Sequence, residues 1–219
     1  MSAAPRGAAR PRGRPVKGDE PAPTSDIMLA AAEAFSLHGY NGISLRTLND
    51  QLGVSHNLLY NRFGSKDNLW RTVVDWAFGP FRAHLDSIGN ESADPMDWLR
   101  AFIRCFIEYS ATRPYLAGIA TVEGAAHTDR LDYLYDNYIN PVSLRFLSVV
   151  EQLQRAGRIK PFPSEVLFFL LTSGGTARFV QAGIAARMGI EPNPENPATV
   201  RRYAEDVAEV LINGISTGT

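Results

Sequence analysis

Apolar residues recur along this chain at helical spacing, and nowhere do they alternate for long enough to suggest a strand. The sharpest pattern is Ser44 to Trp70. Ser44 can cap a helix whose Leu45, Leu48 and Leu52 share one face. Gly53 permits a sharp turn, and Val54 can fill the angle between two helices. Ser55 is the predicted cap of a second helix, with Leu58, Leu59 and Phe63 inward. Gly64-Ser65 then ends that helix and opens a third, which runs through Val73, Trp76, Ala77, Phe78 and Phe81 toward Leu85. Gly79-Pro80 should bend or interrupt it. Upstream, a helix starts near Thr24 or Ser25 and ends at His38-Gly39, where Gly serves as the left-handed terminator.

Beyond a loop at 87–94, Trp98, Phe102, Phe106 and Tyr109 form an aromatic stripe on one helix face, which Arg113-Pro114 ends. Helices are predicted over 115–122 and 130–157, the second bent at Pro141. A single helix follows over 164–188, apolar nearly all round and rich in Gly and Ala. A stiff loop at 192–197 precedes a last amphipathic helix over 198–212. The class is therefore all-α. Three parts are expected: a disordered basic arm (1–23), a helix-turn-helix domain (24–70) and a larger helical domain (71–219).

Two short helices joined through Gly53-Val54-Ser55 make the unit that lays its second helix in a DNA major groove. The outward side of that second helix carries His56, Asn57, Tyr60, Asn61 and Arg62, which suit phosphates and base edges. Lys66 lies in the first turn of the next helix, where the dipole favours an acid, so a cation there points to an external anion such as phosphate. Charge sharpens the picture. The net charge is −1, yet residues 1–18 hold five basic side chains and no acid. Within this arm, Pro11-Arg12-Gly13-Arg14-Pro15 resembles an AT-hook core: Gly13 lets an extended backbone lie in the minor groove while Arg12 and Arg14 enter it. A solvated basic tail is the alternative, and either reading implies nucleic acid.

Taken with the upstream helix, this stretch resembles the DNA-binding domain of TetR-family transcriptional regulators. The resemblance rests on Ala31, Ala34-Phe35, Gly39-Tyr40, Ser44, Leu48, Leu52-Gly53-Val54-Ser55, Leu59-Tyr60, Phe63, Ser65-Lys66 and Leu69. Asn57-Leu58 replaces the Gly-Thr pair common in members, and Asn61 replaces a His or Tyr, so the DNA sequence read should differ. The resemblance implies a homodimer paired through its last two helices, bound to a palindromic operator on double-stranded DNA and released by a small apolar or amphipathic effector. In that scheme Thr47 and Tyr60 hold phosphates, His56, Asn57 and Asn61 face base edges, and Ser55 and Lys66 anchor helix N-termini to the DNA backbone. The implied effector pocket draws on Phe78, Phe81, Phe102, Phe106, Tyr109, Tyr115, Tyr133 and Phe168, with Glu123, His127 and Arg130 as polar anchors.

Other classes find little support. The histidines are scattered and no metal-ligand spacing or Gly-rich phosphate loop appears, so no catalytic set, metal or cofactor is expected. Glu123 and His127 stand at i, i+4, but a simple polar contact explains them better than a metal. No apolar run is long enough to span a membrane. The single cysteine, Cys105, fits a buried small hydrophobe and a cytoplasmic home. The rival reading is a helical small-molecule or lipid-binding protein that keeps the hairpin only as scaffold, against which the basic arm speaks.

Overall fold

A computed structural model describes residues 23–88, 94–191 and 196–217, and all of the regular structure in them is helical. Four helices build the N-terminal end. The first, α1, spans Thr24–Gly42, but Gly39 inside it stands at φ 66° and ψ 173°, so the α-helical path stops at the predicted terminator. It opens at Thr24, as expected; Pro23 holds the cap position without a side-chain bond, and the Ser25 hydroxyl donates to Asp26. In α2, Leu45–Leu52, the Ser44 hydroxyl accepts from the Thr47 amide at 3.0 Å, and Gly53 closes the helix at φ 64°.

The next helix, α3, spans only Leu58–Phe63. Ser55 is not its cap. The Ser55 carbonyl accepts the Leu58 amide in a turn, and Asn57 occupies the cap position with no side-chain bond. Asn49, fully buried on α2, explains the delayed start. Its Nδ2 donates to the His56 carbonyl at 2.7 Å and its Oδ1 accepts from the Leu59 amide at 3.3 Å. Both ends of one amide thus fix the angle between α2 and α3. Ser65 caps α4, Lys66–Ser87, through the Asn68 amide at 3.1 Å. Pro80 sits inside α4 without interrupting it.

Eight further helices follow. Asp94 caps α5, Pro95–Ala111; α6 is Tyr115–Gly124; Thr128 caps α7, Asp129–Leu134. A π turn, Tyr135–Ile139, leads into α8, Asn140–Arg155. This replaces the expected bend, and Pro141 accounts for it: the ring supplies no N–H to the Asn137 carbonyl, which instead accepts Arg82 Nη1 at 2.8 Å. The single helix expected over 164–188 is also broken, into α9 (Ser164–Phe169), a second π turn (Leu170–Gly175), α10 (Ala177–Val180) and α11 (Ala182–Arg187). Gly175 lies so close to α5 that a Cβ there would stand 2.7 Å from Ile107 Cδ1. Gln181, at φ −97° and ψ 45°, separates α10 from α11. Last comes α12, Pro197–Ile215, capped by Asn196 and packed on α5.

One apolar core runs through the molecule. Trp70, Val73 and Val74 of α4 are buried toward its N-terminal end, Phe78, Phe81 and Leu85 toward the other, so a single helix belongs to both halves. The other link is α1 against α6. There Gly118 faces Ser36 so closely that a Cβ would lie 1.9 Å from Ser36 Oγ. Cys105 is half-buried, and its thiol is pushed up to about 12 by burial and by Glu108.

Candidate nucleic-acid interface and effector cavity

The helix-turn-helix places its polar side chains on one exposed side. His56 and Asn57 lie in the turn before α3, not on the helix. Tyr60, at 63% exposure, and Asn61 project from α3 itself. Thr47 is exposed on α2, its hydroxyl 2.8 Å from Ser44 Oγ. His56 Nδ1 stands 3.4 Å from an Asp50 carboxylate oxygen. Arg62 is exposed as well; its guanidinium donates to the Thr24 hydroxyl and lies 5.9 Å from the Phe63 ring centroid. Arg12, Gly13 and Arg14 fall outside the described residues.

Lys66 does not project freely from the start of α4. Its Nζ lies 4.1 Å from the Tyr40 ring centroid, and Arg130 Cζ lies 4.0 Å from the same centroid. Burial, and then the nearby Arg130 charge, lower the Lys66 pKa. Arg130 is itself held by the buried Glu123, Nε to Oε2 at 3.3 Å, and the Thr128 hydroxyl leans on the same oxygen at 3.5 Å. The expected Glu123–His127 pair is therefore replaced. α6 ends at Gly124, His127 is exposed, and Arg130 on α7 takes the carboxylate. Tyr40, Lys66, Arg130 and Glu123 together bridge the helix-turn-helix end to α6 and α7.

A cavity of ≈ 540 Å³ lies between α4, α5, α6, α8, α9 and the two π turns. Phe78, Phe81, Phe106 and Phe168 line it, as expected. Phe102, Tyr109, Tyr115, Glu123, His127, Arg130 and Tyr133 do not. Phe102 is buried between Trp98 and Phe146, Tyr109 stacks on Phe81 at 4.8 Å, and Tyr115 stacks on Trp76 at 6.0 Å. Tyr133 and Tyr138 both donate to the same Asp75 oxygen at 2.7 Å, bolting α7 and its π turn to α4. Burial first, and then that hydrogen bond, push Tyr133 up to about 12 and raise Tyr138 further. The ring of Tyr138 borders the cavity.

Several wall residues escape a reading of the sequence: Arg82, Ser110, Ala120, Tyr138, Ser143 and Glu165. Ser110 carries the one signal available, a polar residue one turn after Phe106 on the aromatic stripe. The rest depend on which helices meet in space. Among the described residues no group of three or more His, Cys, Asp or Glu could hold a metal ion, and no helix is long and apolar enough to cross a membrane.

A helix-turn-helix with an exposed polar face, set on a helical body, is the arrangement by which a protein lays a helix in the DNA major groove. Residues 27–73 match the bacterial regulatory proteins of the tetR family. The chain is 26% identical over 197 residues to the HTH-type transcriptional regulatory protein RaaS of Mycobacterium tuberculosis, across 86% of this chain and 84% of that one. The protein is a DNA-binding transcriptional regulator, and its helix-turn-helix is similar to that of the tetR family. Two solved structures share its fold. The ketosteroid transcriptional regulator KstR2 of Mycobacterium tuberculosis superposes with a TM-score of 0.68 at 18% identity, covering 89% of this chain and 95% of that one. A putative fatty acid metabolism regulator of Clostridium perfringens superposes at 0.65 and 17% identity, covering 88% and 99%.

Proposed function

We propose that this chain is a cytoplasmic homodimeric repressor, without enzymatic activity, that leaves a palindromic operator when an apolar effector fills the cavity. The observation that carries the DNA part is the exposed set of Tyr60 and Asn61 on α3 with His56 and Asn57 just before it, all set by the buried Asn49 amide. Tyr60, Thr47 and Lys66 act on phosphates, and His56, Asn57 and Asn61 on base edges. Arg12 and Arg14 supply a minor-groove arm. The names of the two structural neighbours, a ketosteroid regulator and a fatty acid metabolism regulator, favour an apolar effector here.

The dimer reading rests on the last elements. Leu170, Val180, Ile184, Met188 and Val210 are large apolar side chains left exposed there, and nothing stands within 4 Å of a Cβ built at Gly174 or Gly183. Fluorescence anisotropy on DNA from upstream of the gene, against scrambled DNA at two salt concentrations, tests the reading. Preference for the upstream DNA is expected, with a steeper salt slope for the full chain than for one lacking residues 1–22. Absence of binding to any DNA at low salt overturns it. Light scattering tests the dimer in the same samples.

A further inference from the structure

Among the residues lining the cavity, Ser110 stands apart. It is 2% exposed, and its hydroxyl makes no hydrogen bond with any described residue. The other hydroxyls of the wall are accounted for. Thr121 donates to Ala117 O at 2.7 Å, Ser143 to Asn140 O at 3.0 Å and Thr172 to Phe168 O at 2.9 Å. Tyr138 donates to Asp75, and Tyr135 and Ser173 are exposed to water. The enclosed polar atoms without a partner among the described residues are Trp70 Nε1, Trp98 Nε1, Arg104 Nε and Arg178 Nε, so the Ser110 hydroxyl is not sealed in the core but opens onto the cavity that Phe106, Leu116 and Ala117 also line.

The charges of the wall narrow the choice further. Only Arg82 and Glu165 carry a formal charge. Arg82 is occupied by the Asn137 carbonyl and by Asp86, its Nε 3.6 Å from that carboxylate. Glu165 is exposed and forms no ion pair among the described residues, so it repels an incoming carboxylate. The rest of the wall is apolar or already hydrogen-bonded.

We propose that the effector is a neutral, largely hydrocarbon molecule whose hydroxyl or keto oxygen bonds Ser110 inside the cavity, and not a carboxylate. This rests on the cavity being the effector site. Ser110 both donates and accepts, so either oxygen type satisfies it. An acid finds neither a free cation nor a tolerable charge environment there.

The test is displacement of Nile red from the full-length protein by decan-1-ol, decane and decanoate. It is run on the wild type, on Ser110→Ala, and on Ala120→Trp, which fills the cavity. Decan-1-ol is expected to bind the wild type about fivefold tighter than decane, the ratio of one neutral hydrogen bond. Decanoate should be the weakest. Ser110→Ala should erase the preference for the alcohol and leave decane unchanged. Equal binding of alcohol and alkane, a preference that survives Ser110→Ala, or decanoate as the tightest ligand overturns the proposal while leaving the cavity as the site. Binding unchanged by Ala120→Trp, or no displacement by any probe, overturns the cavity reading and this proposal with it.

Discussion

Asn49 and Ser110 are both buried polar residues, one at each end of the molecule, and they are treated in opposite ways. At the DNA-binding end the Asn49 amide finds a donor and an acceptor within ten residues of itself. At the cavity end the Ser110 hydroxyl finds none among the described residues. The first region is complete before DNA arrives, so its exposed side chains are held in register by bonds the chain makes with itself. The second, in the reading proposed above, is completed by a bound ligand. A buried polar group bonded at home sets shape, and one left open sets what is admitted.

The contrast is testable through substitutions that should move stability by unequal amounts. Asn49→Ala leaves the His56 carbonyl and the Leu59 amide short of their partners, so urea denaturation should show a loss of roughly 2–4 kcal/mol. DNA affinity should fall with it. Asn49→Asp keeps the acceptor and should lose less; equal losses would mean that the two bonds do not work together. Next in size is Gly118→Ala, where the new Cβ meets Ser36 Oγ, for about 1–3 kcal/mol. Ser36→Ala in the same chain should recover part of this, and strict additivity of the two changes would exclude the clash.

Asp75→Ala removes the acceptor shared by Tyr133 and Tyr138 and should cost about 1 kcal/mol. It also predicts a pH dependence. An unfolded tyrosine ionises near its ordinary value of 10.0, whereas native Tyr133 holds its proton to about 12. The associated stability is therefore present below pH 10 and lost as pH rises from there toward 12. Denaturation midpoints across that window should fall less steeply in Asp75→Ala; an unchanged slope would assign the shift to burial alone. The smallest effect is expected for Ser110→Ala, which removes a hydroxyl that opens onto the cavity and bonds no described residue, and should leave stability unchanged. A clear loss of stability there would break the comparison, because it would mean that Ser110 already has a partner in the free protein.

The DNA-binding end was legible because its signals are local. Ser44 and Ser65 cap helices three residues from the amides they bind, Gly39 and Gly53 take positive φ where the apolar pattern stops, and Leu48, Leu59 and Leu69 are buried as spaced. Ser55 misled because a serine after a turn looks like a cap, whereas a buried amide seven residues from His56 held the chain in a further turn. At the other end, spacing told which aromatics face inward but not which of them meet a void. Phe102 and Phe106 share a stripe; one fills the core and the other borders the cavity. That difference is made by α4, α6, α8 and α9 arriving from distant parts of the chain. The π turns were illegible for the same reason, apart from the cue of Pro141.

The two π turns carry a consequence for how such a cavity changes over generations. One residue inserted into a straight α-helix rotates every later side chain by about 100° and destroys its packing face. Housed as a π turn, the extra residue is absorbed where it enters, and the helix on either side keeps its partners. Both turns here border the void, at Tyr135–Ile139 and Leu170–Gly175. A lineage built this way can lengthen or shorten the lining by single codons, and so reshape the void, while the helices on either side stay in place.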